Sequence, residues 1–273
     1  MTDTATRVPT VAETMARLAP PVFDTVDAER QHRRQRLAAG FRLLAKFGLT
    51  TGVAGHITAR DPEHPDRFWV NPLAVPFGHI KASDLVLVDE AGVVVTGGDV
   101  IINGAAFAIH SQIHKANPQL NAACHSHSPW GRPWSATGRL IEPTSQDACA
   151  FFGAQALIGD FSGVVLELGV GAGIGQAFRQ PSPSAGGITV AVHANHGHIS
   201  AGETVDEAVY WFILFEQMCQ SQMRLEATNR PYHVLSDEVA TKTNSQTGSH
   251  YAGWIGFQNM YAEIVAEQPD LLD

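Results

Sequence analysis

Apolar positions recur along the chain with two different periods. Leu37, Phe41 and Leu44 are spaced three and four apart, which predicts a helix over about 27–47, stopped by Gly48. Short stretches at 56–60 (HITAR), 68–72 (FWVNP) and 85–89 (LVLVD) then read as strands. The Ala91-Gly92 turn leads into a fourth, VVVTG, and the set predicts consecutive antiparallel strands. Helical spacing returns over 102–116 and ends before Pro118. The segments 120–127 (LNAACHSH) and 189–194 (TVAVHA) read as strands. Between them the pattern predicts a helix near 146–157 and a strand at 163–168 (GVVLEL). A long helix follows from Val205 to Ala227, opened by a Thr204/Glu207 capping box and striped by Trp211, Leu214, Phe215, Met218 and Met223.

These elements predict one α/β domain over 26–230, a largely antiparallel sheet covered by helices. Residues 1–25 are polar, carry three prolines and read as a flexible arm. Residues 231–273 are polar and then aromatic (Tyr251, Trp254, Phe257, Tyr261). They read as an extension packing on the domain or on a neighbouring subunit.

Composition narrows the function. With 273 residues, 44% of them hydrophobic, the chain can bury one sizeable core. A net charge of -9, with basic residues in a run only at 30–36, argues against a nucleic-acid partner. No apolar stretch is long enough to span a bilayer, and the N-terminus lacks a signal peptide's apolar core. Three cysteines make no disulfide framework, so the expected compartment is the cytoplasm. Thirteen histidines are many for this length, and they cluster.

On a strand, alternate side chains share a face, so His125 and His127 point the same way and Cys124 points away as a small buried hydrophobe. Two imidazoles so placed suit a transition metal. An isolated HxH pair is more often incidental, but the segment 193–198 (HANHGH) ends a second strand and turns at Gly197, so His196 can reach back over the sheet. Three neutral imidazoles suit Zn²⁺ or Fe(II) and leave open positions for substrate or water. His110 and His114 are four apart on a helix, but Ser111 stands where HExxH needs glutamate, and the pair reads as polar residues near a helix end. His193 and His198 flank the third ligand, as hydrogen-bond partners, proton carriers or plain core histidines.

The blocks GVAGHITARDP (52–62), FWVNP (68–72), ASDLVLVD (82–89), HSHSPWG (125–131) and NHGHISAG (195–202) resemble the class II aldolase/adducin family. The match spans roughly 30–230. The resemblance implies a three-layer α/β/α fold with a mostly antiparallel central sheet, and a homotetramer with active sites between subunits. It also implies a divalent metal on His125, His127 and His196. Sugar-phosphate aldolases of the family carry a catalytic glutamate four residues before a helix histidine; the matching position here is Ala106. Gly104 and Ala105 stand where the two phosphate-binding serines would be. The phosphate-binding glycine–asparagine pair becomes Gly55-His56, and the next phosphate loop becomes Leu73-Ala74. An acid tyrosine of the aldolases falls at Asp147.

These changes remove donors that a phosphate needs in place of water. A phosphorylated sugar is therefore not the expected substrate. The expectation is Fe(II), favoured over Zn²⁺, with O₂ and an aromatic 2-oxo or 2-hydroxy acid that undergoes oxidative decarboxylation, as in the family's oxygenase branch. His198 or Asp147 would replace the glutamate as acid or base. Gly55, His56 and His193 would orient the substrate. Phe77 and Trp134, with Trp130, Phe151 and Phe152 nearby, would line an aromatic pocket, although each singly is as readily a core residue. The alternatives are a Zn-dependent aldolase or decarboxylase of a small oxo or hydroxy acid, and an adducin-like scaffold without catalysis.

Overall fold

The computed structural model describes residues 10–159 and 161–273. In chain order it comprises helices α1 (Val11–Arg17) and α2 (Val26–Lys46), then strands β1 (Gly55–Arg60), β2 (Phe68–Val70), β3 (Val86–Val88) and β4 (Val94–Thr96). Helix α3 (Gly104–Ala116) leads to β5 (Ala122–Ser126), α4 (Gly131–Ser135), α5 (Gln146–Cys149) and β6 (Gln155–Ile158). Helix α6 (Leu168–Ala177), strands β7 (Val190–His193) and β8 (Gly197–Gly202), and helices α7 (Val205–Ala227), α8 (Asp237–Thr247) and α9 (His250–Glu267) complete it. The eight strands form one sheet in the order β4-β3-β2-β1-β5-β8-β7-β6. Every pairing is antiparallel except β6 with β7.

Strand alternation sorts side chains to two helical layers. Ile57, Ala59, Ala122 and Cys124 face α2, α7 and α9, where they meet Leu37, Phe41, Val209, Phe212, Phe257 and Ile264. Ala123, Ile199 and Ala201 face α3 and α6, meeting Ile109, Ile113 and Ile174. Every residue of β1, β5 and β8 is buried, because helices cover both faces. This is the expected three-layer α/β/α arrangement. Among the described residues no helix is long and apolar enough to cross a membrane.

The third layer depends on small residues. A Cβ on Gly171 of α6 would lie 1.9 Å from the Ala108 carbonyl oxygen of α3, and one on Gly175 would lie 2.6 Å from that of Gln112. The bare glycine face is what lets the two helices touch backbone to backbone.

Several elements differ from expectation. The helix expected at 146–157 runs only over 146–149: Gly153 turns at φ +72°, and residues 155–158 instead add the parallel edge strand β6. The segment 163–168 is not a strand. Val164 and Leu166 are 74% and 67% exposed, and Leu168 already opens α6. Helix α6 escapes the sequence pattern because four of its ten residues are glycine, so tertiary packing rather than propensity makes it helical. Strand β8 and the C-terminal helices α8 and α9 are also beyond the expectation, and a two-turn helix, α1, lies within the proline-bearing N-terminal stretch. Helix α7 starts as expected at a Thr204 cap, but the Glu207 carboxylate accepts from the Glu203 amide, one residue further out than a capping box requires.

Candidate metal centre

Strand β5 delivers the first histidine. His125 is 1% exposed and faces the α3 side of the sheet, opposite Ile199 in the β5–β8 register. Its Nδ1 lies 2.9 Å from the His198 carbonyl oxygen. A carbonyl only accepts, so Nδ1 carries the proton and Nε2 keeps a lone pair. That Nε2 is buried and has no hydrogen-bond partner among the described residues.

His127 follows β5 directly, on the loop into α4. Its carbonyl accepts from Thr51 Oγ1 at 3.0 Å. The loop is pinned by a residue that the sequence pattern does not single out. The buried Glu216 carboxylate of α7 accepts from Ser128 Oγ and from the amides of Trp130 and Gly131, each at 2.6 Å. Burial raises the Glu216 carboxyl above its ordinary range, opposed by those three donors. Nothing in the local pattern marks Glu216, which sits far along the chain from His127 on an otherwise apolar helix face.

His196 comes from the hairpin between β7 and β8. His193 pairs with Gly197, leaving Ala194, Asn195 and His196 as a three-residue loop. Asn195 at φ +60° and Gly197 at φ +147° supply the left-handed backbone this tight turn needs. His196 Nε2 stands 3.1 Å from His127 Nε2, and its Nδ1 stands 3.1 Å from His193 Nδ1.

The ligand atoms of His125, His127 and His196 all lie within 4.8 Å of one another. Burial, then neighbouring imidazoles, pushes His196 down to about 4 and His125 well below its usual value. Burial likewise lowers His127, helped by Arg132. The three rings are therefore neutral at pH 7 and offer lone pairs. Nitrogens bonded to one ion at roughly 2.0–2.1 Å stand about 3 Å apart, which agrees with the His127–His196 spacing. The orphaned Nε2 of His125 is the third lone pair such an ion would use. The donor set thus fits a divalent transition metal.

The remaining residues divide sharply. His193 supports His196 directly. His56 pairs with His125 across β1 and β5, and their ring centroids are 5.1 Å apart. A Cβ on Gly55 would meet Ser126 Oγ at 3.1 Å and the His125 carbonyl at 3.2 Å, so glycine permits β1 to pass close to β5. His198 does not face the centre. It lies on β8 one residue before Ile199, so alternation turns its ring to the other side of the sheet, stacked 4.1 Å from Phe212. It serves the centre only through its backbone carbonyl. Asp147 is exposed on α5 and stands apart from the triad; its charge acts on Tyr210 instead. Phe77 packs at 4.7 Å against Phe41 in the α2 core, and Trp134 and Phe151 lie wholly inside the α7 core. An aromatic that does stand at the centre is Phe161, 40% exposed, with its ring 5.7 Å from His196 and 5.9 Å from His193. Its distance in sequence from every histidine hides it from a reading of the chain.

The helix pair His110 and His114, expected as polar residues near a helix end, is fully enclosed. His110 Nε2 meets His56 Nδ1 at 2.7 Å, which ties α3 to the back of the histidine triad. A separate cavity of about 710 Å³, lined by residues including Phe23, Arg33, Arg36 and Trp254, shares no residue with the triad.

A helix-covered, mostly antiparallel sheet that converges three imidazoles from a strand end and a hairpin defines a class of α/β protein with a candidate metal centre. Within that class, the chain belongs to the class II aldolase/adducin family and is an enzyme of it: residues 35–223 match the "Class II Aldolase and Adducin N-terminal domain". It is 39% identical to decarboxylase NovR of Streptomyces niveus, over 92% of this chain and 91% of that protein. It is 38% identical to 4-hydroxy-3-prenylphenylpyruvate oxygenase/4-hydroxy-3-prenylbenzoate synthase of Streptomyces roseochromogenus subsp. oscitans, over 92% of this chain and 88% of that one. Among solved structures it is similar to L-fuculose 1-phosphate aldolase from Glaciozyma antarctica PI12. The TM-score is 0.84 at 38% identity, covering 93% of this chain and 96% of that one.

Proposed function

We propose that this chain cleaves a carbon–carbon bond as a non-heme Fe(II) oxygenase, oxidatively decarboxylating a non-phosphorylated aromatic 2-oxo or 2-hydroxy acid. The observation that carries the exclusion of phosphate is the start of α3. Gly104 and Ala105 offer no side-chain donor, and the free amides of Ala105 and Ala106 are already capped by Asn103 Oδ1 at 2.9 and 3.4 Å. The Leu73 amide is likewise engaged, by the Ile101 carbonyl at 2.8 Å. A phosphate there would lack the two serine hydroxyls and these three amides as replacements for its water. Ala106 is buried among Phe68, Val70 and Val88, so no carboxylate replaces the aldolase glutamate there.

A divalent ion supplies Lewis acidity when bound, and as Fe(II) a centre for O₂ chemistry. The chain's own residues do the rest. The His198 carbonyl and His193 fix the orientation of the ligand rings, Glu216 holds the His127 loop, and Phe161 offers an apolar wall for an aromatic substrate. The choice of O₂ chemistry and of an aromatic 2-oxo acid draws support from the names of the relatives at 38% and 39% identity, a prenylphenylpyruvate oxygenase and a decarboxylase. We also read the chain as a cytoplasmic homotetramer.

The test is metal analysis of protein purified without oxygen, coupled to O₂ uptake on aromatic 2-oxo and 2-hydroxy acids. Stoichiometric O₂ consumption with iron present supports the proposal. Turnover that proceeds unchanged without O₂ sinks it. That result would favour the second reading, a Zn-dependent aldolase or decarboxylase, which the 38%-identical aldolase structure keeps in view.

A further inference from the structure

Behind the triad, four polar side chains lie buried in single file. His56 Nδ1 is 2.7 Å from His110 Nε2, and His110 Nδ1 is 2.6 Å from Thr58 Oγ1. Thr58 Oγ1 is 2.9 Å from His114 Nε2, and His114 Nδ1 is 3.2 Å from the Leu120 carbonyl oxygen. None of the four is more than 4% exposed.

The direction of the file is set at its far end. The Leu120 carbonyl has no proton to give and also accepts from Arg60, so His114 Nδ1 donates. A neutral imidazole then has only a lone pair at Nε2, which accepts the Thr58 hydroxyl proton. That hydroxyl has one proton, so its other link accepts from His110 Nδ1–H. By the same step, His110 Nε2 accepts from His56 Nδ1–H. Burial keeps all three rings neutral: His56, His110 and His114 are 3%, 0% and 4% exposed, and His114 lies beside the Arg60 guanidinium, which disfavours a second positive charge. The file's hydrogen bonds run among its own members and end on a carbonyl, and none of them goes to a carboxylate. His56 is left with a bare lone pair on Nε2. Its Nδ1 edge is taken by His110. Its ring lies beside His125, with centroids 5.1 Å apart, opposite it in the β1–β5 register and so on the face of the sheet that carries the triad's first histidine.

We propose that His56, locked as the Nδ1–H tautomer by the His110–Thr58–His114 file, presents a hydrogen-bond acceptor to an O–H group of substrate bound at the triad. The substrate group is a hydroxyl or an enol. A phosphate or carboxylate oxygen has only lone pairs and is repelled by this edge, whereas a hydroxyl or enol donates into it. The substrate class rests on the functional reading above; the tautomer does not.

The experiment uses full-length protein labelled with ¹⁵N-histidine, metal-free and loaded with Zn²⁺. Long-range ¹H–¹⁵N spectra report which ring nitrogen carries the proton. The expected result is a protonated Nδ1 and a bare Nε2 on His56, His110 and His114. A protonated Nε2 on His56 overturns the proposal. On the Zn-loaded protein, 3-(4-hydroxyphenyl)-2-hydroxypropanoate should bind about 10-fold more tightly than its 2-O-methyl ether, which keeps the carboxylate and lacks the donor. Thr58→Val leaves the His56 ring in place but cuts the file, and should reduce that preference at least about threefold. A preference that survives Thr58→Val intact is steric, and it overturns the proposal. If neither acid binds while the tautomers are as stated, the functional reading above fails and the tautomer assignment stands.

Discussion

The His125 Nδ1 stands 2.9 Å from the His198 carbonyl oxygen, so the backbone of β8 sets which nitrogen His125 turns toward its neighbours. Ring and carbonyl belong to adjacent strands of a sheet covered on both faces. The orientation is therefore built into the fold rather than induced by a ligand. His125→Ala should bring bound metal below about one-tenth of the wild-type stoichiometry and abolish activity, with the far-UV circular dichroism unchanged. Metal analysis and activity on the same preparation check this, and a variant that keeps both refutes the assignment of the centre.

His193 touches His196 at 3.1 Å without joining the three convergent nitrogens. Its effect should be on affinity rather than on stoichiometry. His193→Ala is expected to weaken metal binding by about 10- to 100-fold, read by competition with a chromophoric chelator. Unchanged affinity would mean that the hairpin alone orients His196.

Much of this is legible in the sequence, for identifiable reasons. HxH at a strand end and His-Gly in a turn are local patterns; they point to His125, His127 and His196, with the family blocks supplying His196 as the partner, and the structure brings the three together although His127 lies just past the end of β5. Helix α7 is readable to the residue, because a threonine cap and an apolar stripe are both local signals. What the sequence hides is non-local. His198 suggests an acid or base only while the segment after Gly197 reads as a turn. Once 197–202 is a strand, the alternation that paired His125 with His127 puts His198 on the opposite face. Glu216, Phe161 and the enclosed pair His110 and His114 act on residues far away in sequence, and periodicity carries no record of that. Trp134 and Phe77 show the converse: a buried aromatic near a site in sequence belongs to the core.

Glu216 accepts three hydrogen bonds from the loop that follows His127. Removing it leaves two amides and a hydroxyl without a partner in a water-poor setting. Glu216→Ala should destabilise the protein by about 3–5 kcal/mol and weaken metal binding as the loop loosens. Glu216→Gln, which keeps the shape and one acceptor oxygen, should recover part of both. Urea unfolding and the chelator titration measure the two effects. If Glu216→Ala leaves metal affinity untouched, the carboxylate stabilises the loop without placing His127.

The buried histidines also fix how stability responds to acid. His114 has a folded-state pKa of about 3, lowered by burial and then by Arg60, against an ordinary value of 6.5. Between those values the unfolded chain holds the proton and the folded chain does not, so unfolding takes up a proton and stability falls as pH drops below about 6.5. His114 alone accounts for about 1.4 kcal/mol lost by pH 5.5. Burial shifts His56, His110 and His125 in the same direction. The raised carboxyls of Asp206, Glu207 and Glu216 act in the opposite sense but are fewer. Metal-free protein should therefore unfold at distinctly lower urea at pH 5.5 than at pH 7.5. Equal midpoints would show that the interior admits water or charge that the packing excludes.

The last prediction connects the glycine face of α6 to the metal centre. His110 and His114 reach His56 and Thr58 only because α3 lies flat on the sheet, and α6 holds it there with Gly171 against the Ala108 carbonyl. A methyl group on Gly171 would fall 1.9 Å from that backbone oxygen. No rotamer change relieves a clash with backbone, so one helix must move. In an isolated helix the same substitution would favour folding by about 1 kcal/mol. Here overpacking outweighs propensity, and Gly171→Ala should cost about 3 kcal/mol. Gly173 lies on the same helix, and a methyl group there would meet nothing within 4 Å. Gly173→Ala should therefore be neutral or stabilising by up to about 1 kcal/mol. The pair separates packing from propensity in one unfolding experiment. If both variants gain stability alike, α3 and α6 are not in backbone contact, and the enclosure of His110 and His114 loses its support.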